Sequence, residues 1–164
     1  MRPTAEEKKA RYLQTLRDER LALLEVAAAV PPAAAGVVFL GEWSAKDIVA
    51  HLIGWEYANL KAIQAILDGR LPAFYAHHDR DWRSFNAELV RRYRLEDFDA
   101  LLQSARDSNQ ALYDRLLTVP AAEFERDHGV RFRGYMVTIA RLLAAESDDE
   151  QVHAQQLRDF LSHS

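Results

Sequence analysis

The chain has 164 residues, 49% hydrophobic and 28% charged, with a net charge of −4 and no cysteine. One domain of this length buries a core without a staple, and the missing cysteines exclude a disulfide framework, a thiolate metal site and a cysteine nucleophile. The mildly acidic balance argues against a nucleic-acid partner, and no apolar run reaches the ~18 residues of a membrane span, so the expectation is a single domain over 1–164 with no nucleic acid and no membrane.

Met1 to Arg11 is charged and lacks an apolar signal core, which favours a cytoplasmic location. Glycine and proline are scarce and clustered, and between the clusters the pattern is helical. No window alternates apolar and polar residues over a useful length, so no sheet is expected. Helix 1 is predicted over 5–29, with Thr4 and Glu7 as a capping box and Pro31-Pro32 as the stop. Helix 2 is predicted over 45–67, capped by Ser44 with Asp47 as the weaker box partner and ended by Gly69.

The segment 69–81 reads as a loop carrying Tyr75, His77 and His78. A short helix over 80–93 and a long one over 96–118 follow, either separate or as one kinked helix 3. Residues 121–125 read as a helical turn, 126–133 as a polar loop, and 134–161 as the last helix. Long amphipathic helices with short connections predict an all-α four-helix bundle, and its long helix 2–helix 3 crossover is where function tends to sit.

His51 shares a helical face with Ile48, Trp55 and Ala58 and so points inward, either as a buried neutral histidine or as a ligand. The last helix interrupts its own apolar stripe, which reads Ile139, Leu143, Glu146, Glu150, His153, Leu157, Phe160, with Asp149 one turn before His153. Charge on such a stripe is costly unless it is paired or metal-bound; otherwise the stripe rotates and the acids are a solvated face. Glu150 and His153 match the Glu-x-x-His spacing of di-iron bundles, but the second such pair is missing. Trp43, Trp55 and Trp82 gather near helix 2 and the crossover, as core or as a pocket wall.

The run Gly41-Glu-Trp-Ser-Ala-Lys-Asp-Ile-Val-Ala-His51-Leu-Ile-Gly-Trp55-Glu56 resembles the helix 2 signature of the DinB-like superfamily, closest to its ClbS/DfsB branch. Asp81-Trp82-Arg-Ser-Phe85-Asn86-Ala-Glu88 is similar to the segment opening helix 3 there, and Gly134-Tyr135 to the opening of the last helix. The resemblance implies a DinB-like bundle of up-up-down-down type, a homodimer, and a divalent metal, zinc or nickel, on three histidines. His51 and His153 match two of these, while the middle position is Asp149, which either ligates through oxygen or marks a lapsed site.

Family activities then imply metal-assisted hydrolysis or thiol transfer on a small, electrophilic molecule. In that reading His51, Asp149 and His153 hold the metal, Glu56 or Glu150 is the catalytic base, and Trp55, Tyr75, Trp82 and Asn86 line the substrate pocket. The alternatives are a metal-free bundle that binds or sequesters the same kind of molecule, and a purely structural oligomerisation module.

Overall fold

Thr4 and Ser44 both complete the boxes that their spacing predicts. Thr4 Oγ1 accepts from the Glu7 N–H while Glu7 accepts from the Thr4 N–H, and Ser44 and Asp47 do the same. In the computed structural model, which describes residues 1–76 and 82–164, they open α1 (Ala5–Ala28) and α2 (Ala45–Leu67). His77, His78 and Asp81 lie outside the described residues. Three further helices follow: α3 (Arg83–Tyr93), α4 (Phe98–Leu117) capped by Asp97, and α5 (Ile139–Ser162) capped by Thr138. Two separate helices, α3 in the crossover and α4 in the bundle, are therefore present, broken at 94–97, rather than one kinked helix.

Two sequence expectations are corrected at the start of the last helix. Residues 131–136 form a two-stranded hairpin, β1 (Arg131–Phe132) against β2 (Tyr135–Met136), and α5 begins only at Ile139. Arg133 and Gly134 take φ of +49° and +81°, the paired positive angles of the tight turn that matches strand twist. Strands of two residues are too short to show alternation, which is why the sequence pattern missed them. Gly134-Tyr135 thus makes a turn and a strand, not a helix start.

The core is two apolar clusters. Leu23 and Leu24 of α1 meet Ile48 and Val49 of α2, Leu101 of α4 and Leu157 of α5 in one. Leu13 and Leu16 meet Ile63, Ile66, Leu112, Leu116, Leu142 and Leu143 in the other. So α1 and α5 run one way and α2 and α4 the other, an up-down-down-up bundle instead of the up-up-down-down order implied by the resemblance. Both α1 and α2 pack on α4 and α5. The crossover makes this order workable, because α3 returns along α2: Phe85 meets Trp55, and Tyr93 stacks on Tyr57 at 5.3 Å. Close approach requires Gly54, where an added Cβ would stand 2.7 Å from Leu89 Cβ.

Between the two clusters lies a buried polar layer. Arg20, Glu56, Asn59, Ser108, Asn109, Glu146 and Glu150 are all buried there. Arg20 replaces a leucine in the α1 stripe, four residues after Leu16 and three before Leu23.

Candidate functional site

The inward faces of α2 and α5 bring the predicted ligands together. His51 Nε2 lies 2.9 Å from one Asp149 oxygen, and His153 Nε2 lies 3.3 Å from the other. The Trp43 ring sits 4.8 Å from the His51 ring and 6.0 Å from that of His153, closing the far side. His153 Nδ1 donates to Gln156 Oε1 at 2.7 Å, which places a proton on Nδ1. His51 Nδ1 is buried with no partner.

Burial lowers the His51 pKa, against the pull of Asp149, so the ring is neutral at pH 7. For Asp149 burial opposes ionisation, but the hydrogen bonds from His153 and His51 outweigh it and hold its carboxyl well below the usual range. The site is thus an ionised carboxylate bridging two imidazoles. It is not a solvated acidic face. His51, Asp149 and His153 offer ligand atoms within 4.8 Å of one another and could hold a metal ion.

This group opens into a cavity of about 470 Å³, within the size range of small-molecule sites. His51, Asp149 and Glu146 form its polar end, and Trp55, Phe74, Tyr75 and Trp82 its aromatic wall. Trp55 stands 5.2 Å from Phe74 and 5.9 Å from Trp82, edge to face in both pairs, and donates its Nε1–H to Asn86 Oδ1 at 2.8 Å. The four residues expected in the substrate pocket, Trp55, Tyr75, Trp82 and Asn86, all line this space. Trp82 reaches it from a left-handed backbone, φ +59°, at the cap of α3.

Glu56 and Glu150, the expected bases, do not line the cavity. Both are turned into the polar layer, where Arg20 holds Glu56 at 2.9 Å and Glu150 at 2.5 Å. Glu56 also accepts from Ser108 and Asn109. Burial pushes the Glu56 pKa up, against Arg20. Burial alone would lower the Arg20 pKa, but Glu150 and Glu56 raise it and keep the guanidinium charged. The acids facing the cavity are Glu146 and Asp149.

Sequence reasoning placed Glu146 on the stripe without a role. It missed Arg141, which lines the cavity and is fixed by a bond to the Met136 carbonyl at 2.9 Å, together with Phe132, Tyr135 and Met136 of the hairpin. For Arg20 the signal was there, since a lone arginine at core spacing implies buried acids.

No family model matches the chain, and no curated protein does. Among solved structures it is similar to the crystal structure of the colibactin self-resistance protein ClbS in complex with a dsDNA. The TM-score is 0.78 at 16% identity, covering 94% of this chain and 95% of that one. That neighbour was solved in complex with a dsDNA, and a net charge summed over the whole chain does not report local patches. Among the described residues, no helix is long and apolar enough to cross a membrane. The fold is that of ClbS, an all-α bundle with a long crossover.

Proposed function

We propose that the protein takes a small, largely apolar electrophile into this cavity and opens it with water. The observation that carries the reading is the junction of an aromatic wall with an ionised carboxylate bridging two imidazoles. The ClbS neighbour, a self-resistance protein, supports a reactive small molecule as the ligand class.

The donor set suits zinc or nickel: two imidazole nitrogens, one carboxylate, and a partner fixing the His153 tautomer. When bound, such an ion supplies a Lewis acid and lowers the pKa of coordinated water.

The chain's own residues do the rest. The aromatic wall seats the apolar body of the ligand and displaces water from it. Asp149, with 40% of its side chain exposed, accepts a hydrogen bond from the attacking water. As the water oxygen bonds to the electrophilic carbon, the bond to the leaving heteroatom breaks and its electron pair stays on that atom. Arg141, the cation of the cavity lining among the described residues, faces the charge that develops. The water proton passes by way of Asp149 to the departing atom, so no oxidant or reductant is needed.

Styrene oxide is a suitable probe. The expected result is its diol, formed catalytically, with Asp149→Asn reducing turnover at least 100-fold. Tight binding without turnover would favour sequestration. The absence of both binding and diol would overturn the reading.

A further inference from the structure

We infer that the buried carboxylates of the polar layer form a second cation site, built for a hard divalent ion such as manganese or magnesium and separate from the histidine group. The inference does not depend on the hydrolytic reading.

Glu56, Glu146 and Glu150 present ligand oxygens within 4.8 Å of one another, the span expected of ligands about 2.0–2.6 Å from a shared ion. Arg20 is the cation that pairs with this group, through Glu56 Oε2 and Glu150 Oε1. With all three acids ionised, two negative charges remain against the one guanidinium, which a divalent ion cancels.

The independent observation is the set of atoms left without a partner. Glu150 Oε2, Glu146 Oε1 and Asn59 Oδ1 are all buried and unpaired. Asn59 is only 3% exposed, and its Nδ2 donates to Glu146 Oε2 at 2.6 Å, so its amide is committed to this cluster. All three orphan atoms are acceptors. A proton shared between Glu146 and Glu150 would pair two of them and remove one charge. A divalent ion satisfies all three and removes both. Oxygen-only donors select hard cations over zinc or nickel. Access is from two sides, because Glu146 lines the aromatic cavity and Glu146 and Glu150 line a separate cleft between α1 and α5.

The test uses the full chain carrying His51→Ala and His153→Ala, which disables the histidine group and leaves the carboxylates intact. Titration with Mn²⁺, followed by paramagnetic resonance and native mass spectrometry, is expected to give one ion per chain and a raised Tm. Adding Glu146→Gln is expected to weaken binding at least 100-fold. Asn59→Leu, which leaves the charge unchanged, is expected to weaken it at least 10-fold. As a folding control, Glu146→Gln in chelator should melt no lower than its parent. Failure of Mn²⁺, Mg²⁺ and Ca²⁺ to bind at millimolar concentration would overturn the site. So would binding that Glu146→Gln leaves intact, or binding lost in Glu146→Gln but kept in Asn59→Leu, which would reduce it to bulk charge attraction. Styrene oxide turnover by the wild-type chain, with and without Mn²⁺, reports separately on the hydrolytic reading.

Discussion

Asp149 on α5 is bonded to His51 on α2 at 2.9 Å, joining the two helices that flank the aromatic cavity. The link couples cavity shape to protonation. His51 has a lowered pKa in the fold, so its stabilising contribution is full above the unfolded value near 6.5 and is lost as pH falls below it. Asp149, also lowered, adds a further loss only at more acid pH. Metal-stripped protein is expected to lose Tm from about pH 6.5 downward, and His51→Gln should flatten that limb in a melting series across pH 5–8.

Glu146 has the opposite sign. Burial, with Glu56 and Glu150 nearby, raises its pKa well above the usual carboxylate range. Its folded form therefore holds a proton that the unfolded chain has released above about pH 4.3, and stability falls as pH rises toward the folded value. In chelator, Glu146→Gln should remove this slope and raise the Tm at pH 8. A lower Tm for the variant would contradict the assignment.

Arg20 is the counter-ion on which the polar layer depends. Arg20→Met leaves Glu56 and Glu150 buried without it, and the expected loss is about 3–5 kcal/mol, read from chemical denaturation. Adding Glu56→Gln and Glu150→Gln should restore part of that loss, since uncompensated charge causes it.

Gly54 sets the spacing of α3. Alanine there gains up to about 1 kcal/mol of helix propensity but meets Leu89 Cβ at 2.7 Å. Overpacking costs about 1–3 kcal/mol, so a net destabilisation is expected. A double-mutant cycle with Leu89→Gly, which removes that Cβ, should show positive coupling. Because α3 carries Asn86, the single variant should also weaken ligand binding in the cavity.

The bundle was legible because its signals are local and repeated. Two capping boxes, the Pro31-Pro32 and Gly69 stops and long apolar stripes marked out α1 and α2, and His51 and His153 were found because a histidine on a stripe must face inward. The hairpin was not legible, since two-residue strands carry no period, and the 134–161 helix was extended over it. Roles within the acidic run also escaped the sequence. Glu146, Asp149 and Glu150 lie within five residues, and their fates depend on what α1 and α2 present: Arg20 captures Glu150, His51 captures Asp149, and Asn59 meets Glu146. Those are tertiary pairings that spacing along one helix does not encode.

The most direct measurement is styrene oxide hydrolysis in ¹⁸O-labelled water, comparing wild type with Asp149→Asn and weighing both product and protein by mass spectrometry. The account predicts catalytic diol with one labelled oxygen, an unmodified protein mass, and at least a 100-fold drop in the variant. Diol formation unaffected by the variant, or stoichiometric alkylation of the chain in place of turnover, would contradict it.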